Sequence, residues 1–155
     1  MPGFRCIPID PAIAESFRAS GRDQAGNALR RMIADHPSPC RVCLRDAAPG
    51  EAVLLGSYAL PRPRGIYWTP SPIFVHASPC APFDAPNRIA PILRGRMISV
   101  RAYDAGDQCL YDLGHAGDGA EIEAPLATAL ADPRTEFVNV HTAKPGCLLC
   151  RVERM

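Results

Sequence analysis

The hydrophobic pattern of this chain changes its period near Cys40, and this change restricts the chain to a small set of folds. Before Cys40, apolar residues recur at helical spacing; after it, short apolar runs are separated by turns. The second pattern predicts β-strands over residues 51–60, 73–77, 97–103, 109–113, 136–141 and 147–153. Short turns at residues 104–108 and 142–146 join two pairs of these strands as antiparallel hairpins.

Helices are predicted at the N-terminal side and near residue 125. Gly21 divides residues 10–36 into two helices, the first starting at Asp10-Pro11 and the second at Asp23. The helix near residue 125 starts near Glu123, because proline costs about 3 kcal/mol in a helix interior and Pro125 follows closely.

Hairpins rather than strand–helix–strand repeats favour an α+β fold. A chain of 155 residues suits one domain, so we expect residues 1–155 to form a single unit. In this interpretation a mainly antiparallel sheet packs against the N-terminal helices and against the helix near residue 125. The 17 prolines and 12 glycines indicate long surface loops.

The composition argues against two classes of partner. Seventeen basic and 16 acidic side chains leave a net charge of +1, which gives no reason to expect nucleic acid or an anionic membrane surface. No apolar stretch approaches the roughly 18–20 residues of a membrane span, and the N-terminus lacks a secretion signal. Arginine strongly outnumbers lysine, as in proteins from GC-rich bacterial genomes. The sequence therefore predicts a bacterial protein of the cytoplasm.

Seven cysteines are present, an odd number that in a reducing compartment indicates free thiols or metal ligands rather than disulfides. Two CxxC pairs, Cys40/Cys43 and Cys147/Cys150, could supply four thiolates to a zinc ion. This reading gives a zinc-stabilised structural or interaction module. Strand alternation opposes it, because Cys147 and Cys150 would point to opposite faces of one strand. The preferred prediction is therefore that the chain binds no metal or cofactor, and a bound zinc ion is the alternative.

A second possible metal pair is His76 and Cys80, which form an HxxxC pattern. His76 follows a short apolar run, so we interpret it as a residue at a strand end whose ring hydrogen-bonds the backbone.

The C-terminal hairpin offers a different arrangement of cysteine and histidine. A five-residue loop around Lys144-Pro145-Gly146 predicts that His141 lies opposite Cys147, beside Asn139 and Arg151. The opposite face would then carry a core row of Val138, Val140, Leu148, Cys150 and Val152. A thiol beside an imidazole is the minimal arrangement for an activated nucleophile, so Cys147 and His141 are candidate catalytic residues. Whether the chain is an enzyme stays open, because no oxyanion hole or third partner is identifiable.

Arg101 and Asp104 lie on either side of Tyr103 at a hairpin end. They either pair with each other or present Arg101 to a ligand carboxylate.

Four stretches of the chain resemble a known family. They are PCRVCLRDAAPGEAVLL (39–55), SPIFVHA (71–77), RGRMISVRAYDA (94–105) and ADPRTEFVNVHTAKPGCLLCRVER (131–154). In this order they are similar to an uncharacterised bacterial family, number 1203 in the domain-of-unknown-function series. The resemblance spans nearly the whole chain but implies no activity.

The resemblance does rank residues. It implies that Cys40 and Arg41, the His-x-Ala-x-Pro-Gly-Cys run from His141 to Cys147, and the positions of Arg101 and Asp104 belong to the family pattern. At the positions of Cys43 and Cys150, the resemblance implies that family members typically have Ser and Ala. Zinc binding would then not be a property of the family.

These observations together predict a domain that binds an unknown anionic small molecule. Its pocket would be lined by Cys40, Arg41, His141 and Cys147, with Arg101 and Asp104 as further ligand-binding candidates. Arg41 would hold a planar anion bidentately.

Overall fold

Ten strands and two α-helices form the chain in the computed structural model, which describes all 155 residues. The strands are β1 (Phe4–Ile7), β2 (Arg30–Ile33), β3 (Ser38–Pro39), β4 (Asp46–Ala47), β5 (Ala52–Ala59), β6 (Pro70–His76), β7 (Met97–Tyr103), β8 (His115–Asp118), β9 (Phe137–Thr142) and β10 (Leu148–Arg154). The helices are α1 (Pro11–Ser20) and α2 (Glu123–Ala131). Neither helix has the length and apolar character that a membrane crossing requires.

The strands form three sheets. The largest has five strands in the order β1-β10-β9-β7-β8, the second has three in the order β2-β5-β6, and β3 pairs with β4. Every ladder is antiparallel, so the prediction of an α+β fold with antiparallel sheets is confirmed.

Helix α1 begins and ends where the sequence predicts. The Asp10 side chain accepts a hydrogen bond from the Ala12 N–H at 3.0 Å, and Pro11 occupies the first helical position. At the other end, Gly21 adopts a left-handed conformation with φ 67°, and its N–H donates to the carbonyl of Phe17. The predicted start of α2 at Glu123 is also confirmed.

The predicted second N-terminal helix is wrong. Asp23 does not cap a helix but stabilises a turn, in which its Oδ1 accepts hydrogen bonds from the N–H groups of Ala25 and Asn27. Its Oδ2 accepts the N–H of Ser57, which ties the turn to β5, and the chain then enters β2. Pairing of β2 with the β5 edge gives residues 30–33 backbone partners that outweigh their modest helical pattern.

Five other elements differ from the predictions. Residues 109–113 form a single bridge to Tyr103 and a short 3-10 turn instead of a strand, while β1, β3, β4 and β8 were not predicted at all. Asp104 accepts hydrogen bonds from the N–H groups of Gly106 and Gln108, so the backbone donors of the 104–108 turn find their acceptor within the turn. After the turn, the returning chain pairs with β7 only at the bridge to Tyr103.

Two main hydrophobic clusters lie on opposite faces of the five-stranded sheet. The first packs that sheet against α2 and residues 90–93, and includes Val138, Val140, Cys150 and Val152. The second packs α1 against β5 and β6 and reaches Leu148 of β10. Strand β10 therefore contributes to both clusters.

The predicted register of the C-terminal hairpin is wrong by one residue at His141 and by two residues from Val140 onward. Thr142 and Cys147 close the turn, because the Thr142 N–H donates to the Cys147 carbonyl and the Cys147 N–H donates to Thr142 Oγ1. Leu148, not Cys147, therefore lies opposite His141.

A bulge follows this pair, between Leu148 and Cys150. Cys150 then pairs with Val140 and Val152 with Val138, so these four residues share the core face as predicted. Leu148 leaves that row for the second cluster, and Leu149 takes its place in the first.

Candidate metal centre

Three cysteines and one histidine bring their ligand atoms together at the end of β6. The Sγ atoms of Cys40, Cys43 and Cys80 and a ring nitrogen of His76 all lie within 4.8 Å of one another. Cys40 Sγ is 3.8 Å from Cys80 Sγ, and Cys43 Sγ is 3.6 Å from His76 Nδ1. Around a tetrahedral zinc ion, bonds of about 2.3 Å to sulfur and about 2.0 Å to nitrogen set two sulfurs about 3.8 Å apart, and sulfur and nitrogen about 3.5 Å apart. The two measured distances match two edges of that tetrahedron.

Backbone pairing places the CxxC turn beside His76. Cys40 forms a parallel bridge with Phe74, and the Arg41 N–H donates to the Phe74 carbonyl at 3.0 Å. The turn closes when the Leu44 N–H donates to the Cys40 carbonyl, with Leu44 in the left-handed region at φ 52°. Cys80 enters from the loop after β6, so the four ligands come from two segments about thirty-five residues apart.

Hydrogen bonds favour a thiolate at Cys40. The Cys43 thiol, and then the backbone N–H groups of Cys43, Val42 and His76, lower the pKa of Cys40 far below its usual range, although burial opposes this. The His76 N–H lies 3.4 Å from Cys40 Sγ. The hydrogen bond with the Cys40 sulfur, and then burial, raise the pKa of Cys43, while burial and the charge on Cys40 raise that of Cys80. A bound divalent cation would favour the thiolate form of all three cysteines.

Glu51 orients the histidine from outside the cluster. Glu51 Oε2 lies 3.1 Å from His76 Nε2 and also accepts the Ala48 N–H at 2.8 Å. The Ala48 N–H and then His76 lower the pKa of Glu51, so this carboxylate is ionised and accepts the Nε2 proton. The other ring nitrogen, Nδ1, faces Cys43 and is the one placed to bind a metal. A carboxylate behind a histidine is the usual outer partner in zinc sites.

Arg41, the residue between the ligands Cys40 and Cys43, is 2% exposed. Its Nε donates to the Leu148 carbonyl at 2.6 Å and its Nη1 donates to the Pro39 carbonyl, with no carboxylate in contact. Burial lowers the pKa of Arg41 to about 10, whereas Cys147 and Cys40 act to raise it. A zinc ion with three thiolates and a neutral histidine carries one net negative charge, which this buried guanidinium would balance.

The structure does not bring the second CxxC pair to the first. Cys150 is buried in the first cluster, which also contains Cys6, while Cys40 belongs to the second cluster. The four-cysteine set of the zinc alternative is therefore replaced by Cys40 and Cys43 with His76 and Cys80. The backbone partner predicted for the His76 ring is likewise replaced by Glu51 and Cys43.

His141 and Cys147 are neighbours along the hairpin but share no hydrogen bond. His141 is 3% exposed, its Nδ1 donates to the Gly146 carbonyl at 2.9 Å, and its Nε2 is buried without a partner. Burial, and then the charges of Arg101 and Arg41, lower the pKa of His141 to about 4. The ring is therefore neutral near pH 7. The catalytic role of the two residues stays a prediction.

The other two predicted ligand-binding residues, Arg101 and Asp104, lie away from the metal centre and do not contact each other. Arg101 Nε donates to Ser99 Oγ at 3.2 Å, and its side chain lines an open cavity of about 550 Å³ with Tyr103 and Cys109. Asp104 uses its Oδ1 in the turn described above. No ion pair joins the two residues, and their predicted role in ligand binding stays a prediction.

The sequence contained both halves of the cluster as separate patterns, CxxC and HxxxC. What joins them is the bridge between Cys40 and β6, a contact between residues 34 positions apart that no local pattern reveals. Glu51 carries no motif, and only its place at the start of β5 beside the end of β6 brings it to His76.

Comparison with known proteins supplies a family and no activity. Residues 37–154 match a family model described as protein of unknown function (DUF1203), a range that includes the four clustered residues and Glu51. No curated protein matches the chain, and no solved structure does.

Proposed function

We propose that this chain, which belongs to the DUF1203 family, is a zinc-binding module that holds one ion with Cys40, Cys43, His76 and Cys80. The observation that carries the proposal is that the four donor atoms lie within 4.8 Å of one another, with two of their separations matching edges of a tetrahedron around zinc.

The donor set favours zinc over other common metals. Three thiolates and one imidazole are soft or borderline ligands, which suit zinc and disfavour magnesium and calcium. Four protein ligands also complete a tetrahedral shell, leaving no open position for water or substrate. The ion would therefore serve the structure, by tying the 40–43 turn to the end of β6 and to the loop that carries Cys80.

Three surrounding features support this role. Glu51 fixes the histidine tautomer, the His76 N–H donates to a ligand sulfur, and Arg41 supplies a buried positive charge. The reducing cytoplasm that the sequence predicts would keep the three thiols available to the ion.

Metal analysis of the purified chain tests the proposal. We expect one zinc per chain, and cobalt substituted for it should give the visible absorption of a tetrahedral thiolate site. Cys43→Ser and Cys80→Ser should lose the ion, whereas the control variants Cys147→Ser and Cys150→Ser should keep it. A folded chain that takes up no zinc when zinc is supplied would refute the proposal, as would loss of zinc only in the two control variants.

Glu51→Gln tests the part played by the outer carboxylate. Glutamine keeps the size of the side chain but removes the charge that orients His76, so zinc affinity should fall by about 10–100-fold. Competition with a chromophoric chelator measures the change, and Glu15→Gln on the exposed face of α1 is the matched control. Equal affinity in the two variants would show that His76 needs no support from Glu51.

A further inference from the structure

An open cavity of about 550 Å³ lies beside β7 and β8, and none of the four clustered metal ligands lines it. The residues of β7 that alternate with those of the first hydrophobic cluster line one side of it, namely Ser99, Arg101 and Tyr103. Two loops of the chain add Tyr67, Cys109 and Tyr111. The cavity therefore contains Arg101, which the metal centre leaves without a role.

Arg101 differs from every other arginine that the fold shields from water. Six arginines are buried or half-buried, at positions 18, 41, 62, 96, 101 and 151. Five of them have a carboxylate or a backbone carbonyl as partner. Arg101 forms no salt bridge, and its one hydrogen bond within the protein runs from Nε to Ser99 Oγ at 3.2 Å. Its Nη1 and Nη2 atoms therefore have no protein acceptor.

No acidic residue lines the cavity to neutralise this charge. Its lining contains no aspartate and no glutamate, and the other ionisable nitrogens in it belong to the exposed ring of His115. A half-buried guanidinium without a counterion in the protein is a binding site for a carboxylate or another planar anion.

The aromatic rings of the cavity hold one another in place. Tyr103 stacks on Phe137 with ring centres 5.0 Å apart, which fixes it to the sheet. Tyr67 meets Tyr103 edge to face at 6.3 Å and Tyr111 at 6.1 Å, and the hydroxyls of Tyr67 and Tyr111 are 2.8 Å apart. Tyr111 is 75% exposed, so these contacts hold its ring and burial does not. A ligand ring would therefore meet aromatic neighbours that are already ordered.

We propose that this cavity binds a small aromatic carboxylate with a single ring. The carboxylate would accept two parallel hydrogen bonds from Nη1 and Nη2 of Arg101, and the ring would pack on the tyrosines by stacking or edge to face. A volume of about 550 Å³ is within the usual range for small-molecule sites. Because the cavity is open, part of the ligand stays in water, and we expect a Kd of about 1 mM.

Three matched probes separate the contributions of charge and ring. Benzoate has both features, benzamide lacks the charge, and cyclohexanecarboxylate lacks the aromatic ring. Each is titrated into the zinc-loaded full chain and followed by backbone amide chemical shifts. We expect saturable shifts at Ser99, Arg101 and Cys109 with benzoate. Affinity should be lower by about tenfold or more for benzamide and by about threefold or more for cyclohexanecarboxylate.

Arg101→Gln tests the cation of the site. It should weaken benzoate by about tenfold or more and leave benzamide unchanged, because only the charged probe uses the guanidinium. The control Arg31→Gln, an exposed position on β2, should change neither. Zinc content is measured in every variant, so failure here is distinguishable from failure of the metal site.

Tyr111→Ala tests the aromatic wall at a position whose exposure leaves the core untouched. Loss of this ring also frees Tyr67 from its hydroxyl partner, so benzoate should bind about threefold or more weakly. Ile66→Ala, an 88% exposed residue that does not line the cavity, is the matched control and should leave the affinity unchanged.

Three results would overturn the proposal. Absence of saturable shifts at the cavity residues up to about ten times the expected Kd would mean that the cavity holds water only. Equal affinity of benzoate for Arg101→Gln and for the intact chain would mean that Arg101 does not bind the carboxylate. Equal affinity of the intact chain for benzoate and cyclohexanecarboxylate would refute the assignment to aromatic ligands.

Discussion

Among single side chains, His141 gives the fold a dependence on pH. Its pKa is about 4 in the folded chain, because the ring is buried and faces two arginines, whereas a free histidine titrates near pH 6.5. Between these values the unfolded chain binds more protons than the folded one. The free energy of unfolding therefore holds its full value above about pH 6.5 and falls as the pH drops toward 4.

We predict that His141→Gln removes this component. Glutamine can still donate to the Gly146 carbonyl, but it has no proton to gain. The intact chain should lose up to about 3 kcal/mol between pH 6.5 and 4 relative to the variant. Urea unfolding at several pH values measures the difference, in which the shared carboxylates and metal site cancel. Parallel curves for the two proteins would show that His141 is not buried as a neutral ring.

Residue spacing in the sequence identified all four possible ligands but did not show that they belong to one site. The CxxC and HxxxC spacings predicted Cys40, Cys43, His76 and Cys80 as possible ligands in two separate pairs, because ligand spacing within a segment is local information. The pairing of those segments was not predictable, since it depends on the bridge from Cys40 to β6. Arg41 was expected to bind a planar anion, but its guanidinium donates hydrogen bonds to two backbone carbonyls.

Among the elements, α1 shows that the two ends of a helix can be predicted reliably from nearby residues. Asp10, Pro11 and Gly21 each satisfy a backbone requirement at one helix end, and each requirement involves residues at most four positions away. The signals at Asp23 were equally local, yet the Asp23 carboxylate also accepts a hydrogen bond from distant Ser57. This long-range contact and the pairing of β2 with β5 hold the segment in a turn and a strand instead of the predicted second helix.

We predict that Asp10→Ala destabilises the fold by about 1 kcal/mol, because the Ala12 N–H loses its acceptor. Chemical denaturation measures this change. Glu15→Ala, an exposed substitution in the same helix, should stay within about 0.5 kcal/mol of the parent chain. If the two variants lose equal stability, the cap does not contribute to the native fold.

The whole molecule depends on contacts between distant segments. The alternation of strand patterns predicted the α+β class, but the order β1-β10-β9-β7-β8 places the first and last strands side by side, which no hairpin signal implies. The proposed metal centre adds another such link, because it joins residues on either side of β5 and β6.

Removal of zinc should therefore weaken the entire fold. Binding at 100–1,000 times the dissociation constant stabilises a folded chain by about 3–4 kcal/mol. For a chain of this size we expect chelation to lower the Tm by about 10 °C, reversibly on zinc addition. Calorimetry with and without chelator measures the shift. Cys43→Ser should melt at the lower temperature, and the chelator should not change its Tm. A chelator-induced Tm shift in this variant equal to that of the intact chain would contradict the ligand assignment.

The bulge in β10 has a consequence for chain length. Leu148 faces the second cluster opposite His141, and Cys150 faces the first cluster opposite Val140, so Leu149 is a supernumerary residue between two pairs that would be consecutive without it. Losing one residue elsewhere in the strand would exchange the inward and outward side chains beyond that point. Losing Leu149 would leave every other residue on its present side. This position of β10 is thus where the hairpin can shorten by one residue with its pairing to β9 and β1 unchanged.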